Sequence, residues 1–171
     1  MLMDRDDLST ARTVSIRRGD LDSNLDQRGT LTLLDLYASQ LPGRCSGLSA
    51  DTQQKLIPAL RNQPGLQLFL AESASSIVGV AICFEGFSTF KAQTLLNIHD
   101  FTIHPAYRGQ GIGSQLLEHV IQYARQVQHC AVTLEVLASN PARRLYTRHG
   151  FEAIDGPCAD HLMLFGKLEL D

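Results

Sequence analysis

Arg108-Gly109-Gln110-Gly111-Ile112-Gly113 stands between an apolar run that stops at Pro105 and a segment of clear helical period. In that segment Leu116, Leu117, Val120, Ile121, Ala124 and Val127 share one face. A strand, a glycine-rich turn and a long helix together suggest an anion site at a helix N-terminus. Glycines let backbone N–H groups approach a ligand with no Cβ in the way. The helix dipole adds a partial positive charge there, and Arg108 can add a charge-assisted contact to phosphate. Two better-known phosphate loops do not fit. The dinucleotide fingerprint misplaces its third glycine, whether counted from Gly109 or Gly111, and the P-loop needs a lysine that is absent here. From this stretch alone, a plain glycine-rich turn without a ligand is the competing reading.

Upstream of the turn, about Thr94 to His104 reads as a strand. Gly86-Phe87-Ser88-Thr89-Phe90 reads as a loop or wide turn whose two aromatics border a pocket. Leu66, Leu68 and Leu70 alternate, Ser73-Ala74-Ser75-Ser76 turns the chain, and Ile77 to Phe84 returns as the second arm of a hairpin. Ser49 to Arg61 predicts a helix capped by Ser49 or Asp51 and followed by Pro64-Gly65. Asp20 to Gln40 predicts another, weakened by Gly29 and stopped by Pro42-Gly43. Thr13 to Arg17 alternates as a strand.

Downstream, Ala131 to Leu137 is a short buried strand. Asn140-Pro141 opens a helix, with Asn as cap and Pro in the first turn, and Gly150 ends it. Phe151 to Ile154 and Leu162 to Leu168 close the chain as strands. The order is mixed α/β rather than regularly doubly wound. A length of 171 residues without repeat or linker predicts a single domain, 1–171.

Composition, 44% hydrophobic and 19% charged, suits a globular core. A net charge of -3 argues against bulk attraction to nucleic acid or to an anionic membrane. No stretch approaches the roughly 20 apolar residues that span a bilayer, and the acidic start from Asp4 to Asp7 lacks the form of a signal peptide. Cys45, Cys83, Cys130 and Cys158 lie far apart without a CxxC pair, which removes the usual metal spacing and predicts a reducing cytoplasm. Cys83 and Cys130 sit in apolar runs and are expected to be buried, inert thiols.

R-x-x-G-x-G at a helix start, after a strand ending in Ile103-His104-Pro105, resembles the acetyl-CoA signature of the GNAT superfamily of N-acetyltransferases. A second match follows at the expected distance: Asn140-Pro141-Ala142-Arg143-Arg144-Leu145-Tyr146, then Gly150-Phe151. The strong part of the resemblance covers about Leu66 to Glu152; before it only the order of elements matches. The resemblance implies a mostly antiparallel sheet with a parallel central pair, flanked by helices. It also implies an acetyl-CoA-dependent enzyme that acetylates an amine.

In such an enzyme the backbone amides of Arg108, Gly109, Gln110, Gly111, Ile112, Gly113 and Ser114 would cradle the pyrophosphate. The strand edge at Phe101, Thr102 and Ile103 would pair with the pantetheine arm, and the Ile103 amide would stabilise the oxyanion. Asn140 would touch the pantetheine, and Tyr146 would stand near the sulfur. The family asparagine often lies three residues ahead of the alanine, whereas Asn140 lies two ahead of Ala142. Ser139 holds the other position, so this contact falls to Asn140, Ser139 or backbone. Dimers are common in the superfamily, so the resemblance allows a homodimer that the residues themselves do not reveal.

Acyl transfer to an amine calls for a base and an acid. A primary amine, with a pKa of about 10, is mostly protonated at neutral pH, and a departing thiolate leaves better with a proton. Tyr146, which holds its proton at neutral pH, is the candidate acid. His99 is the candidate base, since an ordinary histidine, with a pKa of about 6.5, offers a neutral form. Strand alternation puts Asn97, His99 and Phe101 on one face and Asp100 on the other, where Asp100 is expected to anchor backbone.

By resemblance, histone-type members carry glutamate at the place of Asn97; at the place of His99, diamine enzymes carry glutamate and arylalkylamine enzymes histidine. Asp100-Phe101-Thr102-Ile103 also looks similar to the diamine enzymes. Glu85 either holds a cationic amine at the acceptor mouth or is solvated. His104, His119, His129, His149 and His161 share no metal spacing and are expected at the surface or in caps. A small-molecule amine is the expected acceptor, with amino acid, antibiotic and protein terminus left open. Two other readings stay open: a non-catalytic acyl-CoA-binding module, and an acyltransferase with another acyl chain or an O-linked acceptor.

Overall fold

A computed structural model describes residues 13–40, 46–154 and 163–170. Pro42-Gly43, Cys45, Cys158, His161 and Leu162 lie outside those residues. Strand β1 (Val14–Arg18) leads into helix α1 (Asn24–Ser39), which Ser23 caps by accepting the Asp26 N–H. Gly29 does not weaken α1 as expected. A Cβ there would lie 2.4 Å from Ile77 Cβ, so its missing side chain lets the helix lie close on the sheet. Helix α2 (Ala50–Arg61) starts from Ser49, whose hydroxyl accepts the Thr52 N–H at 3.1 Å.

Strands β2 (Leu66–Ser73) and β3 (Ser76–Ser88) form the expected hairpin. Ala74 and Ser75, at φ of 48° and 59°, make its turn. The next stretch corrects the sequence reading. Gly86, Phe87 and Ser88 are not a loop but the end of β3, in register with Leu95, Thr94 and Gln93 of β4 (Gln93–Ile103). Cross-strand pairing outweighs the local glycine signal.

A 3-10 turn, Pro105–Tyr107, then leads to α3 (Ile112–Gln126), β5 (Ala131–Leu137), α4 (Arg143–Arg148), β6 (Glu152–Ile154) and β7 (Met163–Glu169). Asn140 and Pro141 precede α4 rather than open it. Asn140 Oδ1 accepts the Ala142 N–H at 2.9 Å and shapes the turn ahead of the helix.

Among the described residues seven strands lie in the order β1-β2-β3-β4-β5-β7-β6, antiparallel throughout except for β4 and β5. The mixed sheet with a parallel central pair is therefore as expected. α1 and α2 pack on one face, Leu33, Leu34, Ile57 and Leu60 against Leu68, Leu70, Val80 and Ile82. α3 packs on the other, Leu116, Leu117 and Val120 against Phe69, Ala81, Ile98 and Leu134. Each such buried side chain contributes about 1.5–3 kcal/mol. Arg17 binds Asp26 through two bonds of 2.7 and 2.8 Å and Glu72 through one of 2.8 Å, tying β1 to α1 and β2.

Cys83 and Cys130 are buried, as expected. His104 and His149 bond nearby backbone, again as expected. His129 departs from the reading, being buried with Nδ1 2.8 Å from Thr94 Oγ1. Gln128, at φ 61°, turns the chain back after α3 and brings the imidazole under the sheet. Among the described residues no helix is long and apolar enough to cross a membrane.

Candidate active site

β4 and β5 pair only through Leu96 with Val132, Asn97 with Thr133 and Ile98 with Leu134. Beyond them the strands part, and β4 runs on to Ile103 paired with β3 alone. The His104 N–H donates to the Val78 carbonyl on the β3 side. Alternation therefore directs the amides of Phe101 and Ile103 to the opposite, open edge, and that of Thr102 towards β3. An extended, amide-bearing chain fits such an edge as an added strand.

The glycine turn stands at the mouth of this gap. Gly109 (φ 76°) and Gly111 (φ 80°) take the left-handed conformation that side chains disfavour. Gly111 is the N-cap of α3, and no side chain caps the helix, so its first N–H groups are left for an anion. Gly113 differs. A Cβ there would make ordinary contacts, 3.5 Å to Leu145, 3.7 Å to Ile103 and 3.9 Å to Phe101. The fold has space for a methyl group at Gly113; what its absence leaves is room between α3, α4 and β4.

Arg108 makes two contacts within the chain through its guanidinium. Its Nε donates to the Ile103 carbonyl at 2.9 Å and its Nη2 to Gln40 Oε1 at 2.8 Å, which joins the turn to the end of α1. Its backbone N–H closes the 3-10 turn on the Pro105 carbonyl at 3.2 Å, so the uncommitted donors begin after it. Gln110 Nε2 donates to the Ala106 carbonyl at 3.1 Å. Ile112 is buried and Ser114 half-buried in the first turn of α3.

Tyr146 lies buried on α4, edge-on to Phe101 at 6.1 Å and to Phe151 at 5.8 Å. Burial, with Tyr37 of α1 adding to it, holds its hydroxyl well above the ordinary phenol range. The group keeps its proton through neutral pH and can donate it. Asn140 is half-buried with its carbonyl oxygen spent on the turn, while Ser139 is exposed.

His99 occupies a bulge. Ile98 opposes Cys83 and Asp100 opposes Ile82, so His99 has no opposite number and the alternation resets at it. This corrects the face assignment. Ile98 and Phe101 both pack on the α3 side, whereas His99 stands edge-on at 5.6 Å to Phe84, which packs with the α1 and α2 core. His99 and Phe101 therefore do not share a face; His99 is exposed on the far side of the gap from Tyr146. Burial raises the Asp100 carboxyl above its usual range, with His99 opposing.

Asn97 Nδ2 donates to Thr133 Oγ1 at 3.1 Å and lies 3.3 and 3.5 Å from the two oxygens of Glu135. Glu135, exposed on β5 one residue past the last β4–β5 pair, escapes the sequence reading. Its signal is Leu134-Glu135-Val136, a carboxylate between two buried residues, but only the pairing shows which face it takes. Glu85 goes elsewhere. It pairs with Leu96, which packs on the α3 side, and contacts Gln67 at 3.0 Å and His129 at 4.0 Å. No cluster of metal-binding side chains occurs among the described residues.

An open strand edge and an uncapped helix start thus lie near a buried phenol, with an imidazole and a carboxylate exposed on the other face of the sheet. The sequence profile of the Acetyltransferase (GNAT) family matches residues 31–151. The chain belongs to that family. A [Ribosomal protein bS18]-alanine N-acetyltransferase of Haemophilus influenzae is 36% identical over 112 residues, 61% of this chain and 72% of the relative. Among solved structures, a Drosophila melanogaster polyamine N-acetyltransferase superposes with a TM-score of 0.71 at 17% identity, covering 92% of this chain and all of its own. The structure of yncA from Salmonella typhimurium, with its cofactor acetyl-CoA, superposes at 0.70 and 20% identity, covering 93% and 95%. These two likenesses are of fold. As a GNAT family member the protein is an acyltransferase, and its mixed sheet flanked by helices superposes on those neighbours.

Proposed function

We propose that this enzyme transfers the acetyl group of acetyl-CoA to a primary amine by direct attack in a ternary complex. The observation that carries the reading is the parting of β4 from β5 beside the uncapped start of α3. By their names, the Haemophilus relative acts on an alanine of a ribosomal protein and the Drosophila neighbour on a polyamine, both amines.

Acetyl-CoA, when bound, supplies an activated thioester. The donors of the turn after Arg108 fit its pyrophosphate, and the open edge of β4 fits its amide-bearing arm. Glu135, steadied by Asn97, holds the acceptor ammonium, and His99 takes one of its protons, directly or through one water. The nitrogen then bonds to the acyl carbon while the Ile103 N–H donates to the carbonyl oxygen. As the carbon–sulfur bond breaks, Tyr146 gives its proton to the sulfur. A second amine proton restores the tyrosine through solvent, and His99 releases the first, so one proton is freed per turnover. The free buried thiols of Cys83 and Cys130 fit action in a reducing cytoplasm.

Calorimetry with coenzyme A, followed by thiol detection over a panel of amines, tests this reading. One coenzyme A per chain and amine-dependent thiol release are expected. Binding without any amine-dependent release would reduce the chain to an acyl-CoA-binding module.

A further inference from the structure

Among the described residues, helices cover the face of the sheet that carries His99 over one half only. The core beneath α1 and α2 is built from β2 and β3 and, among those residues, contains none of β5 or β7. Register fixes what the bare half presents. Thr133 lies beside Lys167, Glu135 beside Phe165, and Leu137 beside Met163. The residues between them, Leu134, Val136 and Leu164, point the other way into the core. Phe165 is 36% exposed and Met163 55%, so two large apolar side chains meet solvent next to the reaction centre.

Charge on this face is uneven. Glu169 lies 2.5 Å from both Lys91 and Lys167, and Glu152 is in register with Lys167. Burial works against the charged form of Asp100. Glu135 meets the neutral amide of Asn97, and towards the C-terminal end of β5 its surroundings turn apolar, through Phe165, Leu137 and Met163.

We propose that this patch seats the acceptor and selects an amine with one cationic nitrogen on an apolar body. Glu135 takes the ammonium; Phe165, Met163 and Leu137 take the body. The proposal rests on the acetyl-transfer reading above. A second ammonium farther along the acceptor would lie against those apolar side chains with no further carboxylate beside them among the described residues of β5 and β7, losing hydration without compensation. A polyamine is thereby disfavoured. A free alkylamine and a peptide beginning with a small apolar residue share the favoured chemistry.

Calorimetry on the protein saturated with coenzyme A compares hexylamine with cadaverine, which replaces the terminal methyl by a second amine. Hexylamine is expected to bind at least about tenfold more tightly, the scale of one misplaced group in an apolar pocket. Phe165→Glu should reverse that order. Its coenzyme A affinity should stay as in the wild type, while its thermal midpoint falls, because the ring is only 36% exposed and the new carboxylate stands beside Glu135. In turnover, an alanine-initiated tripeptide set against hexylamine names the source, and preference for either one over cadaverine supports the seat. Cadaverine bound as tightly as hexylamine, or an order that Phe165→Glu leaves unmoved, overturns the proposal. So does a Phe165→Ala variant that changes only the sedimentation of the chain, which would assign the patch to a second copy. Binding is read here without turnover. A protein that selects hexylamine and acetylates nothing would therefore fail the acetyl-transfer reading and keep the seat.

Discussion

The two halves of the sheet are built to different ends. In the first half, helices close both faces: Phe69 and Leu70 are fully buried on opposite sides of β2. Even charge is shut in there, since Asp26 is 1% exposed and held by Arg17. In the second half no helix among the described residues covers one face, and Glu135, Met163 and Phe165 are exposed upon it. The halves meet through the short seam from Leu96 to Ile98. Stability and chemistry are thereby separated, and substitutions on either side of the seam should be felt in different measurements.

Tyr146→Phe offers the largest test. Turnover should fall about 10²- to 10⁴-fold, the usual worth of a general acid, while acetyl-CoA affinity and stability hold because the ring still packs. A loss below about threefold where chemistry limits the rate would return Tyr146 to packing.

Asp26→Asn probes the opposite side. Breaking the buried pair should cost about 3 kcal/mol in urea unfolding, the low end for such pairs because Arg17 is 35% exposed. Turnover per folded molecule should stay unchanged. A turnover defect in the folded variant would break the division of labour.

Gly113→Ala is milder. The fold accommodates the methyl, and helix propensity should add up to about 1 kcal/mol of stability. Coenzyme A affinity should drop about tenfold as the methyl enters the gap. Unchanged affinity would move the pyrophosphate away from α3.

The smallest effect is expected from His129. Burial lowers its imidazole below the ordinary range, against the pull of Glu85. The folded state prefers the neutral ring, so this contribution is whole above pH about 6.5 and is lost as pH falls through the lower folded-state value. In His129→Gln that part of the acid slope of stability should vanish. A slope identical to the wild type would show that His129 does not set it.

What could be read from the chain beforehand was whatever a single segment carries within itself. The period of α3, the glycine turn and the alternation of β2 are local, and the structure has them where they were expected. The bulge at His99 is not local. It exists because β3 opposes β4 with one residue fewer, and nothing between Asn97 and Phe101 announces it. For the same reason Glu135 looks like any strand glutamate until β4 lies beside it. Gly29 and Gly86 misled in a shared way. Each reads as a break in the chain, yet the first permits a close approach to Ile77 and the second sits within a paired strand.

A strand edge without a neighbour is a template for foreign strands. Past Ile98 and Leu134 this molecule carries two such edges in the middle of its own sheet. They diverge from a common seam, with Phe101 and Tyr146 packed edge-on beside the opening. A bound coenzyme therefore acts as a guard as well as a reactant. In the proposed complex it would occupy the hydrogen-bonding edge of β4 and add its binding energy to the folded state. Protein stored with coenzyme A should consequently resist heat-induced aggregation better than the same protein without it, by more than the shift in melting midpoint alone accounts for.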